Sequence, residues 1–258
     1  MIIYSKEEGF ITSNGIKFRE GQDDKIILPE VAVGVYSHHL FEHIIKDYPE
    51  FEPKAVGYME TANFDRDVYI LNYKGVKITF FIAGVGGPLI AGDIEELSKS
   101  GVKKFILFGN CGVLNKKIED CSIIVPTRGY RDEGTSQHYV PDSECITMNP
   151  KYIFEFEEVL DSYNMDHTKG FTWTTDAIYR ETEDKKEHFK SKGCICVEME
   201  ATTIAAVCCR KNLDYFTFFY AGDNLDAIQW ERRSISGLDE FEKKKIVPFL
   251  ALDLATKI

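Results

Sequence analysis

Short apolar runs rich in β-branched and aromatic residues alternate along this chain with stretches whose apolar residues recur at helical spacing. That alternation restricts the fold more than any other feature. Residues 31–35 read as a short buried strand. Residues 68–73 and 76–83 read as a hairpin around Asn72-Tyr73-Lys74-Gly75. The second of these runs into Gly84-Val85-Gly86-Gly87-Pro88 and then a helix pattern, with Pro88 suited to its first turn and Gly101 to its stop. Residues 102–108 make a strand expected to end in a glycine-bracketed turn, Gly109-Asn110-Cys111-Gly112, and residues 122–125 make one expected to end at Pro126. Further on come a helix at 150–163, a strand at 168–173, a charged helix near 181–190 with Glu181 and Lys185 at pairing distance, and two very apolar strands at 194–197 and 215–220 flanking a helix at 200–210. A last amphipathic helix is expected from Ser236, where Ser236 and Asp239 have capping-box spacing, with a kink at Pro248. Strands alternating with helices imply an α/β protein with a largely parallel sheet covered on both faces. With no repeat, low-complexity tract or linker, one domain over residues 1–258 is the economical expectation.

Composition narrows the functional classes. The 31 basic and 42 acidic residues give a net charge of −11, which disfavours nonspecific binding to nucleic acid or to an anionic membrane. The seven cysteines show neither a disulfide framework nor zinc-ligand spacing, so buried free thiols and no metal are expected. Lys6, Glu7 and Glu8 interrupt the N-terminal segment, no long apolar run follows, and a cytoplasmic protein is expected.

Chemistry concentrates at strand ends. Glu198 and Glu200 sit where an apolar strand gives way to a small-residue helix, and Asp223 lies just past the next strand. Ligand sites of α/β proteins gather at the carboxyl ends of strands, and acidic residues there are poorly explained by packing. A single first-turn acid complements a helix dipole, but that does not account for Asp223. The Gly84–Gly87 turn can aim backbone N–H groups at an anion, although it is neither a dinucleotide fingerprint nor a P-loop. The stretch 128–139, with Arg128, Arg131, Thr135, Ser136 and His138, reads equally as a solvated or a binding loop.

Val197-Glu198-Met199-Glu200-Ala201, Gly109-Asn110-Cys111-Gly112 and Asp223 after an apolar strand together resemble the nucleoside phosphorylase family, over roughly residues 31–224. The Arg131 loop and Trp173-Thr174-Thr175-Asp176 are most similar to the uridine-phosphorylase-related branch. The resemblance implies a three-layer α/β/α sandwich with a mixed, largely parallel central sheet, assembled as a dimer, trimer or hexamer. It implies cleavage of a nucleoside's N-glycosidic bond with phosphate as co-substrate and no other cofactor. By position, Glu200 and Met199 would hold the ribose, while Cys111, Gly112 and Ile178 would line the base. Asp223 would protonate the base, as in purine-cleaving members. Gly34, Gly86, Asn110 and Arg131 would surround the phosphate. This chain departs from the family at the phosphate: His38 and Leu107 stand where arginines are usual, leaving Arg128 or Arg131 as substitutes, with Arg66 matching the arginine that a neighbouring subunit would donate. Water as the nucleophile, or binding without turnover, are the alternatives. Glycosidic cleavage develops positive charge on the sugar, which a carboxylate can stabilise, and releases a base that leaves poorly unless protonated.

Overall fold

A computed structural model describes residues 2–235 and 238–258. Its strands are β1 (Val31–Val35), β2 (Lys54–Glu60), β3 (Asp65–Tyr73), β4 (Val76–Ile82), β5 (Lys104–Val113), β6 (Ile123–Asp132), β7 (Cys145–Thr147), β8 (His167–Thr175), β9 (Cys194–Glu198) and β10 (Asp214–Asn224). The helices are α1 (His38–Asp47), α2 (Gly87–Lys99), α3 (Ser136–Tyr139), α4 (Ile153–Ser162), α5 (Glu183–Ser191), α6 (Ala201–Lys211), α7 (Phe241–Lys244) and α8 (Val247–Ala255).

All ten strands join one mixed sheet. β4, β1, β5 and β10 pair in parallel, as do β6, β8 and β9, and antiparallel pairing supplies the β2–β3–β4 margin. β5, β10, β6, β8 and β9 close on themselves, because β10 pairs with β6 and β9 pairs with β5, both antiparallel. One apolar cluster joins one face of the sheet to α2 and α6 through Ile90, Ile94, Leu97, Ile204 and Val207. The other joins the opposite face to α1, α4 and α8 through Leu40, Ile44, Phe156, Leu160 and Leu250. The result is the expected α/β/α layering. All five residues of β1 are buried, as a strand flanked in parallel by β4 and β5 requires.

Local chemistry explains most element ends. Lys74 and Gly75 both have positive φ, the two-residue hairpin turn that matches strand twist. Gly86 opens α2 at φ 92° with Pro88 in its first turn, and Gly101 follows it at φ 125°. Two expected stops are absent. Gly109–Gly112 is no turn, since β5 runs on to Val113 with β10 paired along it and β9 at its end. β6 likewise passes Pro126 with a register shift and continues to Asp132, so Arg128 and Arg131 stand on a strand instead of a loop. Near the C-terminus, Pro248 lies in the first turn of a separate helix and kinks nothing. The capping position expected at Ser236 falls outside the described residues.

All seven cysteines are free thiols; Cys111, Cys194, Cys196 and Cys208 are buried. Among the described residues no helix is long and apolar enough to cross a membrane.

Candidate active site

Ring closure brings together residues far apart in sequence. Gly112 pairs with Val197 of β9 on one side and with Asp223 of β10 on the other, so both acidic strand ends flank one glycine. A methyl group at Gly112 would stand 2.6 Å from Leu225 and 3.0 Å from Asp223 Oδ1. Only a glycine permits this approach. Gly109 does the same for the Tyr36 ring, which a methyl there would meet at 2.9 Å.

A cavity of about 140 Å³ lies at these strand ends. Asn110, Cys111, Gly112, Ile178, Met199, Glu200 and Asp223, all read from the sequence as site residues, line it together. A larger cavity of about 550 Å³ adjoins it, sharing Ile178, Glu181, Asp223 and Ile235.

The two neighbouring glutamates divide their work. Glu198 accepts from Thr172 and Thr174 hydroxyls at 3.1 and 2.6 Å through one oxygen, and from the Glu200 and Ala201 backbone N–H groups at 2.8 and 2.6 Å through the other. It thus caps α6 and ties that helix to β8. Burial pushes its carboxyl up, and these four donors oppose the shift. Glu200, by contrast, accepts the Gly86 N–H at 2.6 Å and faces the cavity. Burial, then the Glu198 charge, push it up to about 8 against the backbone N–H groups of Gly86 and Met199. A buried carboxylate with so few donors is poised to accept a pair of ligand hydroxyls.

At the opposite end, Asp223 Oδ2 accepts the Trp230 indole N–H at 2.7 Å. Burial raises its carboxyl, which Trp230 and Arg233 partly counter. Glu181, also on the cavity wall, is pushed up to about 7 by burial and by Asp223. The Tyr36 hydroxyl is buried without a hydrogen-bond partner, and burial and the nearby Glu200 raise it well above the usual phenol range.

The residues expected around phosphate are scattered. Gly34 lies inside β1, where a methyl would come within 2.6 Å of Leu107 and Phe81, so its role here is packing. Gly86 reaches the cavity only through its N–H on Glu200. Arg131 is turned away, donating to Ser136, Pro141 and Ser143, and Arg128 stacks over Phe171 at 4.8 Å. Arg66 forms a buried bidentate pair with Asp93, which also accepts the Gly84 N–H. Leu107 is core, and His38 lines a neighbouring cleft that shares Tyr36, Asn110 and Ile235 with the main cavity. His138 borders a different cavity. Among the described lining residues there is no Lys, Arg or His. No cluster of three metal-ligating side chains occurs among the described residues either.

Three residues lining these cavities were not singled out from the sequence. Tyr36 follows β1 directly, at a carboxyl strand end. Trp230 is a large ring in a polar stretch, which is itself a signal. Glu181 was read as a solvated helix face paired with Lys185, but it precedes α5, and Lys185 instead pairs with Asp132 at 2.7 Å.

The fold and this site define a member of the phosphorylase superfamily, and the chain belongs to it: the family's sequence profile matches residues 32–247. Among characterised relatives, guanosine phosphorylase of Halorubrum lacusprofundi is 30% identical over 158 residues, covering 58% of this chain and 63% of that one. Uridine phosphorylase of Thermococcus kodakarensis is 32% identical over 136 residues, covering 51% and 49%. A DeoD-type purine nucleoside phosphorylase of Clostridium beijerinckii is 24% identical over 196 residues, covering 72% and 78%. The matches thus span less than two thirds of the first two relatives. Purine nucleoside phosphorylase of Toxoplasma gondii, solved with immucillin-H, superposes with a TM-score of 0.77 at 18% identity, covering 97% of this chain and 98% of that one. That likeness establishes the fold.

Proposed function

We propose that this protein is a nucleoside phosphorylase, cleaving the N-glycosidic bond of a nucleoside with phosphate to give free base and a pentose 1-phosphate. The observation that carries the reading is the convergence of Glu200 and Asp223 on one cavity, on either side of Gly112 and Cys111. Glu200, anchored by Gly86, accepts the ribose hydroxyls and stabilises the positive charge that grows on the sugar. Met199 gives the sugar an apolar wall. Asp223 supplies the proton that turns the base into a better leaving group, an effect of roughly 10²–10⁴-fold for a positioned acid. Cys111, Gly112 and Ile178 border the base.

A second reading is favoured by the lining itself. Four carboxylates and no cationic side chain line the cavity among the described residues. A phosphate dianion deprived of bidentate arginine donors loses its strongest partners, whereas water does not need them. Attack by water, guided by Tyr36 and Asn110, is that reading.

The test is base release from guanosine, inosine, adenosine and uridine in phosphate-free buffer and with added phosphate. Strict phosphate dependence supports the phosphorylase. Equal release without phosphate makes the protein a nucleosidase, and no release from any nucleoside overturns both.

A further inference from the structure

Beyond β10 the chain folds straight back on itself. Asn224 and Glu231 exchange backbone hydrogen bonds at 2.9 and 3.1 Å, and the Asn224 side-chain amide donates to the Glu231 carboxylate at 2.7 Å. This narrow antiparallel bridge closes the loop of residues 225–230 back against the end of β10. Asp223 therefore meets Trp230, whose indole N–H donates to Asp223 Oδ2 at 2.7 Å. The other carboxylate oxygen, Oδ1, points at Gly112 on the cavity wall.

We propose that Trp230 is a positioning residue for Asp223, fixing which of its two oxygens carries the proton. An indole N–H is a donor only and can never accept. Oδ2 accepts from it, and the carbonyl oxygen is the better acceptor of a protonated carboxyl, so a proton on Asp223 favours Oδ1, the oxygen beside Gly112. Without Trp230 that preference is lost, and a protonated Asp223 spends part of its time with its O–H turned away from the site. The inference rests on the reading of Asp223 as the acid that protonates the base.

Several other groups interact with Asp223. Glu181, across the shared wall of the two cavities, has its own affinity for a proton raised by Asp223. Arg233, on the same loop as Trp230, lowers that of Asp223, and the Cys111 thiol on β5 feels the Asp223 charge while itself staying protonated. Beside the Asp223 backbone N–H, Trp230 is the neutral donor in this set. It favours the ionised carboxylate without adding charge, so its removal shifts Asp223 toward higher pH.

The experiment compares the full-length protein with Trp230→Phe, which keeps an aromatic ring and loses the donor, and Trp230→His, which restores a ring N–H. Two readouts are taken: the pH profile of kcat, and the titration of the Asp223 carboxyl followed by carbon NMR, which requires no turnover. In Trp230→Phe the Asp223 titration and the alkaline limb of kcat both move up by about one pH unit. There kcat falls at least about twofold while KM is unchanged, the signature of lost orientation and not of lost binding. Trp230→His recovers both. An unmoved titration and limb in Trp230→Phe overturn the proposal, as does a loss confined to KM. If Trp230→Phe does not fold, a Trp230→His protein with wild-type titration and limb supports it and one with both shifted overturns it. Failure of the wild-type protein to release any base would sink the functional reading instead, and the carboxyl titration would still test the Trp230 contact by itself.

Discussion

Glu200→Gln should make the protein more stable while removing its grip on the sugar, and the gain should depend on pH. In the folded chain the Glu200 carboxyl is pushed from 4.5 up to about 8, chiefly by burial. The native state therefore holds a proton there that the unfolded chain has released, throughout the interval between those values. Stability contributed at this position is intact below about pH 4.5 and declines as pH rises toward 8, since the unfolded state binds fewer protons. Each pH unit in that window costs about 1.4 kcal/mol, so at pH 7 the wild-type protein forgoes about 3 kcal/mol. Glutamine cannot ionise, and its amide oxygen still accepts the Gly86 N–H. Urea midpoints and melting temperatures for both proteins at pH 4.5, 6 and 7.5 should give nearly equal stability at the lowest pH and a widening gap in favour of Glu200→Gln above it. For a chain of this size 3 kcal/mol corresponds to roughly 6–12 °C. Saturating nucleoside, whose hydroxyls donate to the ionised carboxylate, should close the gap by stabilising only the wild type. A gap that is constant with pH, or a less stable Glu200→Gln, would refute the assignment of Glu200 as a carboxylate kept short of donors for a ligand.

Glu198→Ala strips two buried N–H groups at the start of α6 and two threonine hydroxyls of their acceptor, and should cost about 2–6 kcal/mol in a urea titration. A loss below about 1 kcal/mol would show that α6 is capped some other way. Asp223→Asn should lower turnover on purine nucleosides by roughly 10²–10⁴-fold while calorimetric affinity stays within a few-fold; undiminished turnover would remove the acid assignment. Gly112→Ala forces a methyl against Leu225 and Asp223 Oδ1, and should reduce kcat by about 10²-fold with a smaller effect on melting temperature. Wild-type kcat in that variant would mean that Asp223 does not work from its observed position.

Much of the scaffold was legible locally. The β3–β4 turn at Lys74-Gly75, the Gly86-Pro88 entry to α2 and the buried run of β1 are short-range patterns, and the structure has them where periodicity placed them. Glu200 and Asp223 were legible because acids at strand ends lack a packing explanation. What the sequence concealed was long-range pairing. Glycine and proline ordinarily mark stops, but Gly109 and Gly112 serve close approach inside β5, and Pro126 is absorbed by a register shift in β6. That error turned Arg131 into a loop residue, whereas on β6 its Nε and Nη1 donate to Ser136, Pro141 and Ser143 and its buried Nη2 has no partner. The Arg66–Asp93 pair spans 27 positions and has no local signature. The meeting of Trp230 with Asp223 depends on the Asn224–Glu231 bridge, which no helix or strand periodicity encodes.

On the proposed function, the closed circuit of β5, β10, β6, β8 and β9 has a consequence for how such a catalyst can diversify. Strands that frame the reacting centre have their partners within the circuit, so edge-on growth of the sheet is confined to β2 and the three-residue β7, away from Gly112. A neighbouring molecule adding a strand there leaves the frame unchanged. A preference for one base over another can then change at residues 176–182 and 225–235, which put Ile178 and Trp230 on the cavity walls, while every rung of the circuit is kept.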